Sequence, residues 1–233
     1  MERSGIDTPN PPRVLIVYYS YSGQTAGLLN NFTIGLKSQG VDVVVEKLRP
    51  LNPPRFPLGA FLPTFKMMFT TSIRQRLAIR EPGAAVWAAC DLLVLAGPTW
   101  SYNPSGPILD LIDRFGPRLF KGRIVLPLIS CRGYWRMHWL GLRRLLLACG
   151  AEVPNRIIFS HPAPEPWRTI GVFLKIVGKA PERSRLFGRF YKRFGHSREQ
   201  LTEAERLGAI VGAALGKGQP MDGLDLHSRA ATP

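Results

Sequence analysis

Acidic side chains are scarce in this sequence. Its 233 residues carry 16 Asp and Glu against 31 Lys and Arg, a net charge of +15 at pH 7. So one-sided a balance implies an anionic partner: lipid, nucleic acid, an acidic protein or a phosphorylated cofactor. Cysteine is scarce too. Three cysteines with no Cys-x-x-Cys exclude a disulfide framework and point to a reducing, cytoplasmic setting. His161 and His196 have no Cys, His or carboxylate at ligand spacing, so no metal is assigned. No apolar run reaches membrane-spanning length, and the polar, Pro-rich residues 1–12 contain no apolar core of a secretory signal. Two nucleotide signatures are missing as well. No Gly-x-Gly-x-x-Gly follows the first apolar run, and no Gly-Lys-Ser/Thr occurs there.

What is present is organised around residues 14–25. Val14 to Tyr18 is a continuous apolar run, rich in β-branched residues, of the kind buried on both faces of a parallel sheet. Ser20, Tyr21, Ser22, Gly23, Gln24 and Thr25 follow, and then Leu28, Leu29, Phe32 and Leu36 recur at helical spacing until Gly40. Strand, hydroxyl-rich turn and helix come in that order. The unpaired N–H groups and positive dipole end of a helix start, joined by hydroxyl donors, make a phosphate receptor that needs no lysine. The alternative is a plain βα turn whose Ser and Thr only cap the helix.

The motif Ser20-Tyr-Ser-Gly-Gln-Thr25 resembles the phosphate loop of the flavodoxin family, Ser/Thr-x-Ser/Thr-Gly-x-Thr directly after the first strand. The resemblance implies FMN, with its phosphate on this turn. It also implies a doubly wound, five-stranded parallel α/β sheet of order 2-1-3-4-5, here with helical insertions. Residues 41–46, 91–97, 123–130 and 153–160 supply the remaining strands, alternating with helices. One domain spans 13–216, between tails at 1–12 and 217–233.

Two further loops follow strand ends, where open α/β sheets bind ligands. Pro98, Thr99, Trp100 and Asn103 resemble the second flavin loop of flavodoxin-like reductases, which implies contact of Thr99, Trp100 and Asn103 with the ring or ribityl chain. Otherwise Trp100 and Tyr102 simply pack on the next helix. Ser130, Cys131, Gly133 and Tyr134 fall where that family has its third loop. Arg132 beside Cys131 favours a thiolate, whereas burial makes the thiol inert.

Two aromatic segments lie outside the resemblance. Phe61, Phe65, Met68 and Phe69 share a helical face, either a crossover helix packed on the sheet or an apolar cover over a substrate site or membrane. The insertion 161–196 interleaves Arg183, Arg185, Arg189, Lys192 and Arg193 with Phe187, Phe190, Tyr191 and Phe194. Its spacing predicts a basic amphipathic helix that meets an anionic membrane or acidic redox partner, or that buries its aromatics on its own core. No nucleic-acid module accompanies these cations. Ser197 and Gln200 form a capping box opening a last helix to about Leu215.

The functional expectation is an FMN-dependent oxidoreductase, drawing electrons from NAD(P)H or a protein donor and acting on a hydrophobic quinone, aromatic or lipid-like molecule. No side chain stands out as a catalytic acid or base. The alternatives are an electron carrier that docks an acidic partner and a flavin-free scaffold at the inner membrane face.

Overall fold

The computed structural model describes residues 10–232, so most of the expected N-terminal tail lies outside the described residues. Its spine is a parallel sheet. Strand β1 (Arg13–Tyr18) pairs with β2 (Asp42–Lys47) on one side and β3 (Leu92–Trp100) on the other. Strand β5 (Val125–Cys131) follows β3, and β6 (Ile157–Ser160) closes the edge. The order β2-β1-β3-β5-β6 is the expected 2-1-3-4-5, with a two-residue antiparallel strand β4 (Asn103–Pro104) added at the end of β3.

Alternation along the strands divides the core into two layers. Leu15 and Val17 of β1 face helices α3 (Gly106–Phe120) and α4 (Trp135–Ala148), against Ile108, Leu111, Leu142 and Leu146. Val14 and Ile16 face α1 (Gln24–Ser38) and α6 (Arg198–Gly216), against Leu28, Phe32, Leu207 and Val211. The α6 capping box forms as expected: Ser197 Oγ accepts from Gln200 N, and Ser197 N donates to Gln200 Oε1, each at 3.1 Å.

Several boundaries depart from the sequence reading. The fourth parallel strand runs one residue further, so Cys131 ends a strand instead of opening a loop. The helix after it begins at Trp135, four residues past the strand end. The fifth strand begins only at Ile157, because Asn155 turns aside to donate to Met221 O and Leu224 O. Those acceptors belong to the segment expected to be a C-terminal tail. It packs instead: Met221, Leu226 and Ala231 join the core, and Ser160 N donates to Ala231 O.

The two aromatic segments behave contrary to their periodicity. Helix α2 (Phe61–Ser72) does not pack its aromatic stripe on the sheet; its buried residues are Thr64 and Thr71. In the insertion, the helix is α5 (Trp167–Val177), while 187–194 forms only a short 3-10 turn at Phe187–Arg189. Its aromatics cover distant partners. Phe190 stacks on Trp167 at 4.4 Å, Tyr191 on His161 at 5.0 Å and Phe194 on Phe56 at 5.7 Å. Gly171 admits Tyr191, since a Cβ there would lie 2.4 Å from the ring. The insertion therefore packs on its own fold.

Tyr191 is fully buried, yet its hydroxyl finds no partner among the described residues. Removing an unpaired buried hydroxyl is favourable by about 1 kcal/mol. Tyr191→Phe should accordingly raise Tm by roughly 2–4 °C in a thermal melt monitored by circular dichroism.

Candidate functional site

The candidate crevice lies at the C-terminal ends of β1, β3 and β5. After β1 the chain turns through Gly23, the N-cap of α1, at φ 84°. That left-handed conformation suits glycine, and a Cβ there would meet nothing within 4 Å among the described residues. The N-cap glycine supplies no side-chain bond, and among the described residues only Ser20 engages a first-turn N–H group, so the others stay open at the positive end of the dipole. Ser20 Oγ accepts from Ala26 N at 3.3 Å. Ser22 is partly exposed at the turn, and Thr25 is buried. Tyr21 turns away from the helix start and donates to Arg55 O at 2.6 Å.

Gln24, expected to face a ligand, is engaged elsewhere. Its Oε1 accepts from His196 N at 3.1 Å, and its side chain fills the space that a Cβ on Gly195 would need. His196 also reaches the third loop, with Nε2 at 2.9 Å from Ser130 Oγ and Nδ1 at 3.2 Å from Gln200 Oε1. One buried histidine from the end of the insertion thus ties the first turn to the third loop. Burial pushes His196 and His161 down to about 4, with His196 and Arg168 adding to the depression of His161 and Arg193 to that of His196. Both are neutral near pH 7.

The second loop surrounds Trp100. Pro98 and Thr99 belong to the extended end of β3. Trp100 meets Tyr19 and Tyr21 edge to face, each at 5.6 Å. It also lines two cavities, of about 280 and 200 Å³. Thr99 Oγ1 lies 2.7 Å from Nδ1 of His138, which burial drives to about 3 and so keeps neutral. Asn103 was expected to touch the ring or ribityl chain. It is instead a bracket: its amide donates to Thr71 O, Ser72 O and Ser101 O, and its carbonyl accepts from Arg74 Nε at 2.9 Å.

The third loop closes the smaller cavity. Tyr134 meets Tyr102 edge to face at 5.4 Å across its mouth. Gly133 lets Arg168 pass, since a Cβ there would lie 2.6 Å from the guanidinium. Burial lifts the Cys131 thiol to about 12, outweighing Arg168 and Arg132, so the strand-end cysteine is not a thiolate. Arg132 lines the same cavity, and its Nε is buried with no partner among the described residues.

The structure therefore brings the first, second and third loops together. It also adds His138, which sequence reasoning did not single out, and gives His196 and Arg132 partners that their sequence neighbours did not suggest. No spacing marks those histidines, because their partners lie 39 and 66 residues away.

The fit to FMN rests on two features of this site. The start of α1 offers its remaining N–H donors to a phosphate, and Arg132, on the wall of the cavity beside Trp100, offers a guanidinium to a ring acceptor. The residues fit such a group.

No family model matches the sequence, and no curated protein does. Solved structures do match in fold. A flavoprotein from Lactobacillus acidophilus NCFM, determined in complex with FMN, aligns over 62% of this chain and 91% of its own, with a TM-score of 0.50 and 18% identity. A candidate flavoprotein from Bacteroides eggerthii DSM 20697 aligns over 72% and 99%, with a TM-score of 0.50 and 16% identity. Together with the strand order, these likenesses establish that the chain has the flavodoxin-like fold.

Proposed function

We propose that this protein binds FMN and acts as an oxidoreductase toward a hydrophobic quinone, aromatic or lipid-like molecule. The electrons come from NAD(P)H or a protein donor. The observation that carries the reading is that Trp100, on the wall of a cavity it shares with Arg132, also meets Tyr21 of the turn that opens α1. Bound flavin supplies hydride or electron transfer. The chain's own residues bind and orient. The N–H groups at the start of α1, with the Ser20 and Ser22 hydroxyls, hold the phosphate. Trp100 presents an aromatic surface to a flat heterocycle. Arg132, on the wall of the cavity beside Trp100, would hold a ring acceptor through its guanidinium. Thr99, fixed against neutral His138, keeps an oxygen lone pair for a ring N–H. Tyr21 and Cys131 are each held up at about 12 by burial, so neither exchanges protons near neutral pH. That leaves the redox step to the cofactor.

The strong positive charge favours a second reading, an electron carrier that docks an acidic partner. Titration of the purified protein with FMN, read by visible absorption and flavin fluorescence, tests the cofactor. Quenched flavin bands are expected. Trp100→Ala and Gly23→Val, folded by circular dichroism, should bind roughly tenfold or more weakly. A protein that leaves the FMN spectrum unchanged refutes the proposal and leaves a flavin-free scaffold. Rapid NAD(P)H oxidation by the loaded protein separates enzyme from carrier.

A further inference from the structure

Helix α2 is inside out. Its buried residues are threonines, Thr64 and Thr71, while Phe61, Leu62, Phe65 and Phe69 are 52, 79, 58 and 67% exposed. Ile73, directly after the helix, is 64% exposed. The inner side lines the two cavities at Trp100 through Thr64, Met67 and Thr71, so the helix cannot turn its aromatics inward without emptying that wall. Among the described residues Phe61 and Phe65 meet one aromatic ring, that of Phe173 of α5, at 5.9 and 5.6 Å. An apolar ridge of this kind marks an interaction surface.

Charge decides what covers it. From residue 47 to 80 the chain contains no Asp or Glu, and Lys66 and Arg74 lie on or just after α2, while Arg76 beyond them is paired with Asp113 of α3. Arg74 extends the surface to α4, where exposed Met137 and Leu140 line one pocket with it and with Arg144. Helix α4 carries no acidic residue either. A second copy meeting this face symmetrically would set these cations against themselves. An anionic bilayer satisfies both features: its headgroups pair with the rim of Arg and Lys, and its fluid acyl boundary accepts protruding Phe and Leu tips without a shaped groove.

We infer that α2 lies in the surface of an anionic membrane, with Leu62, Phe65 and Phe69 in the acyl boundary and Lys66, Arg74 and Arg144 among the headgroups. The protein would rest on the bilayer, not cross it; among the described residues no helix is long and apolar enough to span one. The inference does not depend on flavin, since none of these three apolar residues lines either cavity at Trp100.

Vesicle flotation of the full chain tests it, with phosphatidylcholine alone and with about a third phosphatidylglycerol. The protein should float with the mixed vesicles and not with the neutral ones, and should be released as salt rises. Leu62→Ser with Phe69→Ser should lower partitioning roughly tenfold or more, with circular dichroism and FMN titration unchanged. Ile73→Ser gives a second, milder variant on the same ridge. Four results would overturn the inference. A wild type that ignores mixed vesicles is one, and a double variant that binds them as well as the wild type does is another. A wild-type dimer split by the double variant, with vesicles ignored, would assign the ridge to self-association. Binding to polyglutamate that the variant loses, again with vesicles ignored, would assign it to an acidic protein.

Discussion

Gly208→Ala should destabilise the protein by about 3–5 kcal/mol, although alanine is the better helix former. A Cβ at 208 would lie 2.1 Å from Phe32 O and 2.9 Å from Phe32 C, both backbone atoms of α1. From the facing side, a Cβ at Gly35 would lie 2.0 Å from Glu205 O of α6. The two helices touch backbone to backbone, and no rotamer can relieve the overlap. To admit one methyl group they must separate along the whole contact, loosening Leu28, Phe32, Leu36, Leu207 and Val211. Against a typical stability of about 5–15 kcal/mol, such a loss takes a large share. Gly27→Ala is the matched control. It makes the same chemical change in α1, but the nearest atom its Cβ would meet is Leu201 Cδ2 at 4.0 Å. Stability there should hold or rise by up to about 1 kcal/mol. Urea melts of both variants decide the matter. A Gly208→Ala protein as stable as the wild type would mean that α1 and α6 do not pack this closely.

Acidification should unfold the protein well before its carboxylates are all protonated. Burial drives His138 down to about 3 and His161 and His196 down to about 4, against an ordinary value of about 6.5. Charged neighbours reinforce this for two of them: His196 and Arg168 face His161, and Arg193 faces His196. A histidine whose folded pKa is depressed stays neutral in the native state while the unfolded chain takes up a proton. Stability therefore falls as pH drops below about 6.5, and the loss is complete only near the folded values. Over that window three such groups remove on the order of several kcal/mol. Urea melts at pH values between about 7 and 4 should show a steadily falling midpoint. His138→Gln should flatten the slope by that residue's share, whatever it does to stability at neutral pH. A midpoint unchanged down to about pH 4.5 would mean that these rings are hydrated or already charged.

The sheet was legible because its signal is local. Val14 to Tyr18 and residues 91–97 are apolar runs that only a doubly covered strand can bury, and the hydroxyl-rich turn sits between a strand and a helix by position alone. The aromatic segments were legible as stripes but their contacts stayed open, because periodicity fixes neither partner nor polarity. Phe187, Phe190, Tyr191 and Phe194 have helical spacing, but Trp167, His161 and Phe56 claim them, and Gly171 offers Tyr191 a seat only where a side chain is missing. In α2 the stripe was visible in the sequence, yet the side facing inward was set by the cavity wall, which wanted threonines. At the candidate site, Trp100 and the Gly23 turn could be picked out from strand ends. Asn103 could not be given its bracing role, because its acceptors, Thr71 O and Ser72 O, lie about thirty residues upstream.

That bracing ties the second loop to α2. Asn103 grips Thr71 O and Ser72 O, Arg74 grips Asn103, and Ser101 Oγ lies 2.7 Å from Thr71 Oγ1 and donates to Met68 O. The loop carrying Trp100 hangs from the last turn of the helix as well as from its own strand. Helix and loop form a lever: a load applied to the exposed ridge, by whatever seats against it, reaches the indole directly without first deforming the sheet.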